Sequence, residues 1–120
     1  MTVKEKRKPY NYSIELNKYN LDLVYSDIVG LILIKGYDNS RYFITFTCDR
    51  SKLTKSYLIK TKGEVYDCFI YFKKHFERPD LNWTIKRLRD NKEGEYIFNK
   101  LRIFLFKNGI NLELTEPYSS

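Results

Sequence analysis

Two stretches of this sequence carry side chains that could do chemistry. One is RLRDNKEGEY at residues 87–96, and the other is Asp27 within the strand-like run LDLVYSDIVG at 21–30. The first follows the apolar-flanked Trp83, Thr84 and Ile85, and leads into a segment, Tyr96 to Phe106, with apolar residues at helical spacing. It therefore reads as a strand end, an acidic turn and a helix. Carboxylates at the carboxyl ends of neighbouring strands converge in α/β folds, where they can hold divalent metal. On residue type alone an aspartate at a strand end is more often structural than functional.

The elements that must position these acids follow from periodicity. Leu21–Ile28 is apolar and β-branched, with a further extended piece at Leu31–Ile34 and a bend expected at Gly30. Tyr42–Cys48 carries the strongest strand signal, and Ser56–Lys60 reads as a third strand after a short polar turn. Val65, Phe69, Phe72 and Phe76 recur at the spacing of one helix face, which predicts an amphipathic helix over about 64–77 with an aromatic stripe turned to the core. Pro79 limits it. Trp83–Arg89 is the expected fourth strand, Tyr96–Lys107 a second helix stopped by Asn108 and Gly109, and Leu112–Thr115 a fifth strand. In the second helix Phe98, Ile103 and Phe106 fall off the main apolar stripe and call for cover on more than one side. The order β-β-β-α-β-α-β, with short links among the first three strands, implies a five-stranded mixed sheet flanked by helices, as in a ribonuclease-H-like α/β fold.

Composition bounds the rest. A chain of 120 residues makes one domain with a real core. Its formal net charge of +7 makes a polyanion a suitable partner, beside the plainer reading of a basic surface. Residues 1–18 form a basic lead-in with Lys4, Lys6, Arg7 and Lys8, and residues 19–120 form the folded unit. Cys48 and Cys68 stand apart without a CxxC spacing, and the single histidine, His75, lies on the first helix, so no zinc ligand set is expected. No apolar run reaches the roughly 18 residues of a membrane span, and no signal-peptide core opens the chain, so no membrane partner and an intracellular location are expected.

Beyond these patterns the residues resemble a specific family. LDLVYSDIVG at 21–30, GYDNSRYFITFTCDRSKLTKSYLIKTKGEVYDCF at 36–69, IKRLRDNKEGEY at 85–96 and NGINLELTEPYSS at 108–120 are similar, in order, to the integrase catalytic core of copia-type retrotransposons, fungal members in particular. The resemblance spans about residues 19–120. It implies a metal-dependent DNA strand-transferase in which two Asp and one Glu hold two magnesium or manganese ions, and it adds DNA as partner and the nucleus as a compartment.

Carried over residue by residue, Asp27 matches the first acid. The family pattern resembles RLRDDNGGEY, and the ungapped comparison puts Asn91 at the second acid with Asp90 beside it; a one-residue shift of register brings Asp90 into that role. Lys92 and Glu93 replace the usual Asn-Gly-Gly turn, and Leu31 stands where a proline usually follows SDIVG. Glu95 matches an acid beside the site that is not a metal ligand. The third acid lies on a helix beyond the LELT-x-PY segment, and Glu113 and Glu116 precede that point. The expectation is thus a C-terminally truncated core, inactive as this chain. Phosphate contacts are expected from Lys86, Arg87, Arg89 and Lys92, and self-association through exposed apolar surface. The alternatives are a non-enzymatic module binding nucleic acid or protein, and a retroelement remnant without a role.

Overall fold

The computed structural model describes residues 21–90 and 95–114. The basic lead-in over 1–18, together with Asn91, Lys92, Glu93, Glu116 and Pro117, lies outside the described residues. Five strands form a single sheet: β1 (Leu23–Ile32), β2 (Arg41–Cys48), β3 (Thr54–Ile59), β4 (Arg87–Asp90) and β5 (Asn111–Leu114). Their spatial order is β3-β2-β1-β4-β5. The first three pair antiparallel as a meander, whereas β4 runs parallel to both β1 and β5. Helix α1 (Val65–Phe76) makes the crossover from β3 to β4, and α2 (Asn99–Lys107) the one from β4 to β5. The five-stranded mixed sheet flanked by helices, expected from the order of apolar patterns, is the architecture found.

Alternation along β1 and β2 sorts the two faces. Val24, Ser26 and Ile28 are buried opposite Cys48, Phe46 and Ile44, while Tyr25, Asp27 and Val29 face the other way. The helices close the buried face. Val65, Phe69 and Phe72, at i, i+4 and i+7, bring one side of α1 onto Phe46, whose ring centroid lies 5.7 Å from that of Phe69 and 5.2 Å from that of Phe72. Each such ring stabilises the fold by about 1.5–3 kcal/mol through burial. The aromatic stripe is therefore core, as its spacing implies. Glu64 fixes the start of α1 by accepting from the backbone amides of Lys60 (2.9 Å) and Thr61 (2.8 Å). Cys48 is buried, Cys68 half-buried, and His75 exposed on α1.

Several boundaries differ from the sequence expectation, each for a local reason. The bend at Gly30 does not divide two strands; β1 continues to Ile32 with a register irregularity between Val29 and Ile32. Gly30 has φ +145°, and a Cβ there would stand 2.8 Å from the Arg41 carbonyl oxygen, so only glycine fits. The fourth strand is not Trp83–Arg89 but the four residues Arg87–Asp90. Arg78 and Trp83 exchange backbone hydrogen bonds of 2.9 Å across a 3₁₀ turn at Pro79–Leu81, with Asn82 left-handed at φ 59°, which takes Trp83 out of the sheet. The second helix starts at Asn99 rather than Tyr96, because Tyr96 and Ile97 are drawn into the core first and Phe98 is extended. Of the off-stripe residues, Phe98 is 50% exposed, Ile103 54% and Phe106 85%, so the described chain leaves them without cover. Among the described residues no helix is long and apolar enough to cross a membrane.

Candidate functional site

The two stretches singled out by sequence meet where β1 and β4 run side by side. Leu23, Val24, Tyr25 and Ser26 pair in parallel with Arg87, Leu88, Arg89 and Asp90. Because Asp90 is level with Ser26 rather than Asp27, its side chain takes the Ser26 face, which is the buried one. Asp27 and Asp90 are thus on adjacent strands, Asp27 exposed on one face and Asp90 buried on the other.

Asp90 is fully buried. The Tyr96 hydroxyl donates to its Oδ1 at 2.6 Å and stands 3.0 Å from Ser26 Oγ, itself 3.4 Å from the Arg89 carbonyl oxygen. Burial raises the Tyr96 phenol well above its ordinary value, the hydrogen bond to Asp90 adds to that, and the charge of Asp27 contributes further. Tyr96 stays neutral and donating over the whole working pH range. Sequence reasoning did not single out Ser26 or Tyr96. The available signal was Ser26 itself, a polar side chain between Val24 and Ile28 on the core-facing period of β1.

Asp27 stands on the open face, across from Thr45 of β2. Thr45 Oγ1 lies 2.8 Å from Ser56 Oγ, so hydroxyls continue the row toward β3. Two residues back along the same face a second row crosses β1, β4 and β5. Arg89 donates through Nε (2.9 Å) and Nη2 (2.7 Å) to Oε1 of Glu113, and its guanidinium lies 5.4 Å from the centre of the Tyr25 ring. Arg87 reaches Oε2 of the same carboxylate at 3.5 Å. The Arg89 hydrogen bond leads in holding the Glu113 carboxyl below the ordinary carboxylate value.

Of the residues expected to meet phosphate, Arg87 and Arg89 share Glu113, whereas Lys86 is exposed and donates to Thr84 Oγ1 at 2.8 Å. Lys92 lies outside the described residues, as does Asn91. Glu95 is exposed and pairs with Lys62 at 3.4 Å. Among the described residues no group of three or more His, Cys, Asp or Glu is placed to hold a metal ion. At the place the resemblance assigns to paired ions, the described residues supply Asp27 alone, and the second described aspartate serves Tyr96 on the far side of the sheet. Two dications about 4 Å apart need more negative charge than that, so the described residues do not fit the pair.

Comparison with known proteins bears on ancestry. The chain is 35% identical over 114 residues to the retrovirus-related Pol polyprotein from transposon TNT 1-94 of Nicotiana tabacum, a match covering 95% of this chain and 8% of the polyprotein. The chain is a homologue of a retrotransposon Pol polyprotein. A second polyprotein, from transposon RE2 of Arabidopsis thaliana, is 28% identical over 116 residues, again 97% of the chain and 8% of the relative. The chain therefore spans about a twelfth of the length of these polyproteins.

The chain superposes on the HTLV-2 integrase catalytic core domain, solved in complex with magnesium in a dimeric form, with a TM-score of 0.60 at 11% identity over 79% of this chain and 61% of that one. It matches the BIV integrase catalytic core domain at 0.59 and 14% identity over 82% of this chain and 57% of that one. A simian T-cell lymphotropic virus intasome in complex with PP2A regulatory subunit B56 gamma gives 0.64 at 12% identity, over 82% of this chain and 33% of that one. At such identities these likenesses establish the ribonuclease-H-like fold. No family model matches the chain.

Proposed function

We propose that this chain is a copia-type integrase core in which the acid site is incomplete, retained as a nucleic-acid-binding segment without strand-transfer activity of its own. Asp27 is the first acid of the family's set. The single observation that carries the reading is the burial of Asp90 against Tyr96, on the face away from Asp27. That placement favours the ungapped match, in which Asn91 occupies the second acid's position. A carboxamide offers an oxygen ligand but no charge, so magnesium or manganese would be held weakly there. The magnesium in the HTLV-2 core supports divalent metal as the family's cofactor.

The test pairs metal binding with activity. Manganese titrated calorimetrically into the wild-type chain and into Asn91→Asp should bind at least about tenfold more tightly to the variant, since a full charge is added at the ion. A magnesium-dependent strand-transfer assay should find the wild-type chain inactive. Activity in the wild type that Asp27→Asn abolishes would overturn the proposal.

The net charge of +7 supports a second reading, an interaction module that binds nucleic acid without metal. Lys86 and Lys92 are its better phosphate contacts, because Arg87 and Arg89 are already paired with Glu113. Binding that falls steeply with salt and ignores EDTA favours this reading. Self-association through exposed apolar side chains such as Leu33 and Phe106 belongs to either reading, as does an intracellular and nuclear location.

A further inference from the structure

The helices cover one face of the sheet, and Asp27 is reached from the other. On the outside of the helical layer α1 and α2 meet through only a few side chains. The Phe104 ring stands edge-on to Tyr66 at 5.9 Å and to Phe69 at 6.2 Å. On either side of Phe104 the surface is hollowed. One depression, of about 420 Å³, is lined by Ile70, Pro79 and Phe104 together with Lys73, Lys74, Glu77 and Asn108. The other, of about 240 Å³, is lined by Tyr66, Lys100, Ile103, Phe104 and Lys107. The floor is thus largely apolar, and four lysines, two from each helix, stand around it with Glu77 and Asn108.

The unpaired rim charge is basic. Glu77, the one acid lining the first depression, pairs with Lys73 at 3.0 Å and accepts from the Ile85 amide at 2.8 Å, which leaves Lys74, Lys100 and Lys107 as the net charge around the two hollows. Lys73 and Lys100 also lie over aromatic rings, 5.8 Å from the centre of Phe104 and 4.5 Å from that of Tyr66. Lys74 and Lys107 are exposed.

We propose that this groove is a docking site for an acidic amphipathic segment of a partner protein, with one apolar side chain seated on each side of Phe104 and carboxylates meeting Lys74, Lys100 and Lys107. Charge selects this occupant over the alternatives. A second copy packed symmetrically on the same face would set the lysines against their own images, and like charges facing across an interface are repulsive. A phosphate backbone would satisfy the lysines but leave Ile70, Ile103 and the Phe104 ring without apolar partners. An acidic helix with apolar residues on one face satisfies both floor and rim. The site does not depend on the reading of the acid site, because it lies on the other side of the sheet from Asp27.

The test uses the full chain and a labelled designed peptide of about four helical turns, with leucines on one face and glutamates elsewhere. Fluorescence anisotropy should show binding that weakens as salt rises. The double substitution Lys74→Glu and Lys107→Glu should weaken binding at least about tenfold, because two attractive pairs become repulsive. Both side chains are exposed, and circular dichroism checks that the variant remains folded. Ile103→Asp, also at an exposed position, should weaken binding through the floor. The proposal is overturned if the peptide does not bind, if a lysine-for-glutamate version binds as well, or if the variants bind unchanged. It is equally overturned if an oligonucleotide displaces the peptide, or if sedimentation finds a dimer of the chain that the peptide dissociates.

Discussion

The Tyr96 hydroxyl donates to Oδ1 of Asp90 at 2.6 Å, and both side chains are shut off from water. This contact ties the segment after β4 back to the end of that strand, and through Ser26 Oγ at 3.0 Å to the central strand β1. Removing the hydroxyl while keeping the ring leaves a buried carboxylate with one strong donor fewer. Tyr96→Phe should therefore cost about 1–3 kcal/mol, the penalty for depriving a buried acceptor. Urea denaturation of wild type, Tyr96→Phe, Asp90→Ser and the double variant should show strong non-additivity. A loss below about 0.5 kcal/mol for Tyr96→Phe, within the range of ordinary surface substitutions, would show that the hydroxyl is not what holds this corner.

The Arg89–Glu113 pair fastens the edge strand β5, and it sets an acid limit. Glu113 has its carboxyl held below the ordinary value of 4.5, chiefly by the Arg89 hydrogen bond. A carboxyl with a depressed folded-state value contributes stability that is present above about pH 4.5 and lost as pH falls through the lower value. Both side chains are 31% exposed, so the contribution stays within about 1 kcal/mol. Glu113→Gln should melt lower than wild type at pH 7, and the difference should shrink below pH 4.5. A gap that persists unchanged at about pH 3, roughly 1.5 units further down, would place the effect in packing rather than charge.

Cys68 should be a slow thiol. Burial, reinforced by Glu64 and Asp67, pushes it from 9.0 up to about 11, while Cys48 is wholly buried. At neutral pH two units mean about a hundredfold less thiolate, and labelling falls in proportion. Reaction with a chromogenic disulfide should be about two orders of magnitude slower in the native chain than in denaturant. Rapid stoichiometric labelling of the native chain at pH 7 would show that the α1–β3 side opens easily.

Phe106 is 85% exposed and packs into nothing in the described chain. Phe106→Ser should leave stability within about 0.5 kcal/mol, as surface substitutions do, and should reduce self-association. Sedimentation velocity across a concentration series measures the second effect. An unchanged distribution would move the sticky surface elsewhere, to Leu31 and Leu33 at the end of β1.

Much of this was readable from the chain itself. Alternation through Leu21–Ile28 and Tyr42–Cys48, and the i, i+4, i+7 spacing of Val65, Phe69 and Phe72, fix strands and helix because each pattern is a property of consecutive residues. The basic excess was equally plain. Boundaries were less so. Trp83 is as good a strand residue as Arg87, and only the Arg78–Trp83 backbone pairing withdraws it from the sheet. Tyr96 suits a helix, yet its hydroxyl has a buried carboxylate to reach, and the helix waits until Asn99.

What the tertiary structure alone decided is which face each charged side chain serves. The one-residue offset that pairs Asp90 with Ser26 and leaves Asp27 on the open side is a register between strands sixty residues apart in sequence. The claim of Glu113 on both Arg87 and Arg89, and the groove where Phe104 of α2 meets Tyr66 of α1, are likewise meetings of distant segments. Sequence sets what a residue can do because period and side-chain chemistry are local. Which partner it meets depends on strand pairing and helix packing, which stretches far apart in the chain settle only when they bury the core together.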